Sequence, residues 1–149
     1  MVITEEARIE CRAAALAASV HAGQADRSAR SYISHIARVV AQLHDPTDRV
    51  VAWLHDVVED TYITVEDIRG CFGDEIADAV DAVTHRTGEP QIDYIRRVRA
   101  NPVARRVKIA DSTDNSSEWR YVDLPADVAV RFREKYARYL VWLRAEEMQ

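Results

Sequence analysis

Apolar residues recur along most of this chain at three- and four-residue intervals, the spacing that keeps one face of an α-helix buried. Thr4, followed by Glu5 and Glu6, predicts a helix start with acids near the positive end of the helix dipole; that helix runs to about His21 and ends near Gly23. A second spans roughly Ser31 to Leu43, with Ile33, Ala37, Val40 and Ala41 on one face. Asp45, Pro46 and Thr47 stop it and start another, because proline suits the first helical turn, and the stretch from Val50 to Asp60 is strongly apolar on one side. Thr64 and Asp67 have capping-box spacing and open a short helix that stops near Gly70; Gly73 precedes a helix carrying Ile76, Ala79, Val80 and Val83. Pro90 and Pro102 open two more. A last long helix runs from about Pro125 to Ala145, its stripe being Val128, Phe132, Tyr136, Tyr139 and Leu143. No segment alternates as a strand does and no internal repeat stands out. The pattern predicts an all-α fold, a compact bundle of about seven or eight helices joined by short loops, with residues 1–149 as one domain.

Composition narrows the function. The 149 residues are 48% hydrophobic and 30% charged, with a net charge of −5. A chain that grips nucleic acid through its backbone needs a basic face, and none is present in the pattern, so no nucleic-acid partner is expected. No apolar run is long enough to span a membrane, and the acidic amphipathic N-terminus is unlike a signal peptide. Cys11 and Cys71 have no metal-thiolate spacing; they are expected as buried thiols of a cytoplasmic protein.

Three segments concentrate chemistry: residues 32–35, 52–61 and 107–115. In the second, His55 and Asp56 sit between Val50, Val51, Trp53 and Leu54 on one side and Val57 and Val58 on the other. A helix there cannot bury its apolar residues without drawing His55 and Asp56 inward, and a buried unpaired charge is costly. A divalent cation resolves this, since imidazole and carboxylate both bind it. Glu59 and Asp60 follow His55 and Asp56 by four residues, so each pair shares a helix face; two carboxylates beside a metal suit one that activates water and one that protonates a leaving oxygen. In the third segment Asp111 follows Val107, Ile109 and Ala110 as a further ligand candidate. Asn115, one turn on, suits a sugar or phosphate. His21, His44, His85 and Asp114 read as ordinary core or surface residues, and Trp53, Trp119, Trp142 and the tyrosines of the last helix as packing.

The order His35, His55-Asp56, Asp111 resembles the HD superfamily of metal-dependent phosphohydrolases. More narrowly, the chain resembles the hydrolase domain of the RelA/SpoT proteins and the small stand-alone (p)ppGpp hydrolases. The likeness is carried by His21-Ala22-Gly23-Gln24, Tyr32-Ile33-Ser34-His35 and the run Leu54 to Thr61. Phe72-Gly73-Asp74-Glu75-Ile76, Val83-Thr84 and Lys108-Ile109-Ala110-Asp111 continue it, over roughly residues 10–117. The resemblance implies an HD-domain fold and one divalent metal, usually Mn²⁺, held by His35, His55, Asp56 and Asp111. It also implies water handled by Glu59 and Asp60, nucleotide contact by Asn115, and removal of the 3′-pyrophosphate from (p)ppGpp.

The chain departs from that pattern around the metal. The family has Gly-x-Pro where this chain has Ala29-Arg30-Ser31, a proline where it has Ile36, and a base where it has Asp26, with Arg27 one place later. Ser112 to Ser117 also differ. Arg27, Lys108, Arg131 and Arg133 are candidate phosphate contacts. Rival expectations are an HD nucleotidase acting on other nucleotides and a non-catalytic nucleotide-sensing or interaction module. Alarmone synthesis is not expected, as no synthetase region is seen.

Overall fold

The computed structural model describes residues 2–146. Among them are nine α-helices, one 3₁₀ turn and no named strand: α1 (Glu5–Val20), α2 (Tyr32–Ala41), α3 (Pro46–Leu54), α4 (Val57–Asp60), α5 (Val65–Phe72), α6 (Asp74–Val83), α7 (Gln91–Ala100), α8 (Pro102–Asn115) and α9 (Ala126–Arg144), with the 3₁₀ turn at Glu118–Arg120. The all-α expectation holds. The count exceeds seven or eight chiefly because the apolar stretch read as one helix breaks at His55–Asp56 into α3 and α4. His55 Nδ1 lies 2.6 Å from the Ala52 carbonyl, and Asp56 leaves helical geometry at φ −108°, ψ 0°. α5 also runs past Gly70, stopping only where Gly73 takes φ 87°.

The starts follow local chemistry. Thr4, Asp45 and Asn101 accept backbone N–H bonds at the heads of α1, α3 and α8, and Thr64 with Asp67 closes a full capping box on α5. Each cap satisfies amides that the helix itself leaves unpaired.

α8 is the central element, packing on α2, α3, α6, α7 and α9, while α1 covers α3 and α5 covers α6. One core cluster joins α1, α2, α3 and α6 around Ile36, Val39, Val51, Leu54 and Val80; the other joins α7 to α9 around Tyr94, Ile95, Tyr139 and Leu143. The stripe expected on α9 is the one that packs. On α2 the buried face is His35, Ile36, Val39 and Val40; Ala37 and Ala41 are exposed. Those two alanines fit the helical spacing, but so do Ile36 and Val39, which remove far more apolar area from water.

Cys11 and Cys71 are exposed rather than buried. Both lie on the outer faces of their helices, the buried faces being taken by Ala13 and Ala17 on α1 and by Ile68 on α5. The Gly-x-Pro departure is informative: Ala29 keeps a left-handed φ of 58° without the glycine. Asp26 Oδ1 holds that loop, accepting from the Ser28 and Arg30 amides at 2.8 and 3.0 Å.

Candidate metal centre

α2, the α3–α4 break and α8 bring His35, His55, Asp56 and Asp111 together: His35, Asp56 and Asp111 line a cavity of about 560 Å³, and His55 is buried beside them. One ligand atom each of His35, His55 and Asp111 lies within 4.8 Å of the others. Asp111 Oδ1 is 3.1 Å from His35 Nε2 and 3.5 Å from His55 Nε2. Asp56 stands beside this group, its Oδ2 3.0 Å from His55 Nε2.

The orientation of the rings tests whether a cation fits. The Ala52 carbonyl can only accept, so His55 Nδ1 carries the proton that faces it, and the Nε2 lone pair faces the carboxylates. His55 Nε2 has no hydrogen-bond partner despite that closeness, because a lone pair and a carboxylate are both acceptors. His35 Nδ1 is 2.7 Å from Asp114 Oδ2 and 3.1 Å from Arg120 Nη1. Both cannot be bonds through that nitrogen. The shorter contact decides: His35 donates to Asp114, Arg120 Nη1 also donates to Asp114 at 2.6 Å, and His35 Nε2 faces Asp111. Two imidazole lone pairs and two carboxylates are thus aimed at one buried place, the donor set of a divalent transition metal. The charge field agrees. Burial works against charge on both imidazoles, yet Asp111 with Asp114 at His35, and Asp56 with Asp111 at His55, raise their pKa above the ordinary histidine value. A field that favours a proton there favours a cation.

Each ligand candidate is held from behind. The Tyr32 hydroxyl donates to Asp56 Oδ2 at 2.5 Å. Lys108 Nζ donates to Asp111 Oδ2 and Asn115 Nδ2 to Asp111 Oδ1, both at 2.8 Å. Lys108 and Asn115 line the cavity as expected of substrate contacts, but their polar heads are engaged with Asp111. Asp114 is not the surface residue its sequence context suggested. It is 6% exposed, gripped by Arg38 Nε at 2.8 Å and Arg120; burial works to raise its pKa, yet His35 and Arg38 hold it down at about 2. For a cation bound to this cluster, Asp114→Asn is expected to weaken affinity by about 10–100-fold, the range for carboxylates that orient metal-binding histidines. Competition against a chromophoric chelator measures it, and wild-type affinity in the variant would remove that role from Asp114.

Glu59 and Asp60 face the cavity from α4. Glu59 Oε2 accepts the His85 amide at 3.1 Å. Both side chains keep water contact, but desolvation by the surrounding wall, reinforced by the Asp56 charge, raises their pKa. Arg27 also lines the cavity, donating to the Tyr136 hydroxyl at 3.2 Å. Arg131 and Arg133 do not reach it: they pair on the surface with Asp127 and Glu118. Tyr136 and Tyr139 of the same helix pack in the core as expected and also line the cavity. His21 is buried, its Nδ1 2.8 Å from Gln24 Oε1 and its Nε2 without a partner; His44 is exposed. Sequence reading passed over Tyr32, Lys135 and Arg120 as cavity residues. The four-residue step from Lys135 to Tyr139 was the one signal for Lys135; Arg120 lies in an irregular turn that carries none.

The HD domain family matches residues 13–119. A probable GTP pyrophosphokinase of Mycobacterium leprae is 35% identical over 136 residues, covering 83% of this chain and 17% of that protein. A probable guanosine-3′,5′-bis(diphosphate) 3′-pyrophosphohydrolase of Synechocystis is 38% identical over 99 residues, covering 59% and 13%. This chain therefore spans less than a fifth of the length of these curated relatives. A solved structure, a metazoan ortholog of SpoT that hydrolyzes ppGpp and plays a role in starvation responses, superposes with a TM-score of 0.73 at 25% identity. It covers 97% of this chain and 89% of that one. No helix among the described residues is long and apolar enough to cross a membrane.

Proposed function

The chain belongs to the HD domain family, and from that footing we propose that it is a metal-dependent phosphohydrolase, a guanosine-3′,5′-bis(diphosphate) 3′-pyrophosphohydrolase-like enzyme acting on (p)ppGpp or a related nucleotide. The observation that carries the proposal is the convergence, at one cavity of nucleotide size, of the nitrogen-and-carboxylate cluster with the carboxylates of Glu59 and Asp60. The metazoan SpoT ortholog, which hydrolyzes ppGpp and shares this fold along nearly the whole chain, supports the substrate.

His35, His55, Asp56 and Asp111 would hold one divalent cation, Mn²⁺ in this proposal, which when bound supplies a Lewis acid and lowers the pKa of water. Glu59 and Asp60 orient the attacking water and exchange its proton; their raised pKa values bring them nearer the pH at which they work. The bond from water oxygen to phosphorus forms and the bond from phosphorus to the 3′ oxygen breaks. A proton passes to that oxygen, leaving a 3′-hydroxyl nucleotide and pyrophosphate. Arg27, Lys108 and Asn115 contact the nucleotide, with Lys108 and Asn115 also holding Asp111. The protein acts on this substrate in the cytoplasm, without a nucleic-acid or membrane partner.

One observation favours a second reading, an HD nucleotidase with another substrate. Asp26, where the resembled family has a base, lines the cavity and faces Arg120 at 3.5 Å. A nucleotide panel with Mn²⁺ and chromatographic product identification separates the two. GDP and pyrophosphate from ppGpp are expected. Phosphate or triphosphate from other nucleotides, with ppGpp untouched, would establish the nucleotidase. Tight ppGpp binding without turnover would make the protein a sensor.

A further inference from the structure

Three tyrosine rings climb one wall of the cavity, and Phe132 stacks on the last of them. Tyr94, Tyr139, Tyr136 and Phe132 follow one another with centroids 6.2, 6.3 and 6.2 Å apart. Three cavity-lining cations lie along this ladder. Lys108 Nζ is 5.4 Å from the Tyr94 centroid and 5.8 Å from that of Tyr139. Lys135 Nζ is 5.4 Å from Tyr136 and 5.5 Å from Tyr139. The Arg27 guanidinium is 3.5 Å from the centre of Phe132.

The three differ in what they hold. Lys108 is paired with Asp111 at 2.8 Å, and Arg27 donates to the Tyr136 hydroxyl. The Lys135 ammonium takes part in none of the ion pairs or side-chain hydrogen bonds among the described residues, although the residue is partly buried and lines the cavity. A lysine on a helix surface ordinarily extends its amine to water; this one lies over two ring faces. Ring quadrupoles hold an ammonium in place but leave its charge uncancelled. Desolvation, with Lys108 and Arg27 close by, outweighs the pull of the Asp111 and Glu59 carboxylates, neither of which bonds to it, and pushes its pKa below the usual lysine range. An ammonium in such company is unfavourable until an anion joins it.

We propose that Lys135 is the receptor for a second phosphate-bearing end of the substrate, so that the cavity selects nucleotides phosphorylated at two positions. One end meets the acid floor beside His55 and Asp111, and the other meets the aromatic wall at Lys135. The inference rests on the proposed phosphohydrolase reading, and it assigns the discrimination to a residue outside the matched motifs.

The test pairs a change in the enzyme with a change in the substrate. The full chain with Mn²⁺ is assayed on ppGpp and on guanosine 3′-diphosphate, which has a free 5′ hydroxyl. Lys135→Ala is expected to raise KM for ppGpp by about 10–100-fold, the range for one charge-assisted hydrogen bond, with kcat within about twofold. On the 5′-hydroxyl substrate KM should change less than about twofold, and Lys135→Arg should restore most of the discrimination. Equal effects on both substrates, or none on either, overturn the proposal. If the wild-type chain hydrolyses neither, the hydrolase reading fails on its own, and calorimetry decides Lys135 separately. Selective loss of affinity for guanosine 3′,5′-bisphosphate over guanosine 3′-monophosphate in Lys135→Ala then supports the receptor. Equal affinities, or no binding by the wild type, refute it.

Discussion

His55→Ala and Asp56→Ala are each expected to lower hydrolysis by at least about 10³-fold and to lose the divalent metal. His55 is 1% exposed, its Nδ1 tied to the Ala52 carbonyl and its Nε2 set between Asp56 and Asp111. Removing the ring takes away a neutral nitrogen donor and leaves two carboxylates facing each other in a buried place. Removing the Asp56 carboxylate leaves the Tyr32 hydroxyl without its acceptor and the site with one anionic ligand fewer. A metal supplies several kcal/mol of transition-state charge stabilisation, and about 4 kcal/mol corresponds to 10³ in rate. Initial rates on ppGpp, with bound metal by atomic spectrometry and far-ultraviolet circular dichroism as a folding control, test this together. Wild-type turnover in a folded His55→Ala protein would sink the metal assignment.

The second expectation separates chemistry from metal binding. Glu59→Gln should cost about 10²–10⁴ in kcat, the usual contribution of a positioned acid or base, while metal affinity stays as in the wild type. Stability should move the other way. Desolvation and the Asp56 charge raise the Glu59 pKa on folding, so the folded state binds the proton more tightly than the unfolded one. Stability then falls as pH rises from the unfolded value through the folded one, and above that window the ionised carboxylate is a burden on the fold. Glutamine removes the charge yet can still accept the His85 amide. At neutral pH the metal-free variant should therefore melt at or slightly above the wild-type temperature, the gain being small because the side chain keeps water contact. A variant that loses activity and melts lower would indicate damage to the α4 turn; unchanged kcat would remove Glu59 from the proton chemistry.

Sequence patterning carried the helices well where one face had to be buried. The α9 stripe and the α5 capping box needed only period and cap chemistry, both local. It placed half of the buried face of α2: Val40 is buried and Ile33 packs on the core, but Ala37 and Ala41 are exposed, and only the packing partners α3 and α8 could choose Ile36 and Val39 in their stead. It also ran α3 into α4, since nothing in the alternation of Val50 to Asp60 marks the turn at His55, whose side chain takes a backbone carbonyl.

The same division holds at the site. His55, Asp56 and the lone Asp111 stood out because burying them among valines and leucines has no inexpensive alternative to a cation, and Glu59 and Asp60 because they follow on the same helix faces. Asp114 was not legible: its neighbours are polar, and only the return of the chain through Arg120, with Arg38 reaching from α2, turns it into the orienting partner of His35. Lys135 was missed for a related reason, as one more charge on a long amphipathic helix until α9 lays its aromatic stripe against Tyr94. The sequence by itself determined the all-α class and the helix starts and pointed to His55, Asp56 and Asp111 as a candidate cluster, because these depend on periodicity, caps and the cost of burying charge. Tertiary structure alone decided which nitrogen of each histidine faces the carboxylates, which carboxylate holds His35 and which cations share the wall, because those depend on hydrogen bonds and charge contacts between segments as many as 109 residues apart.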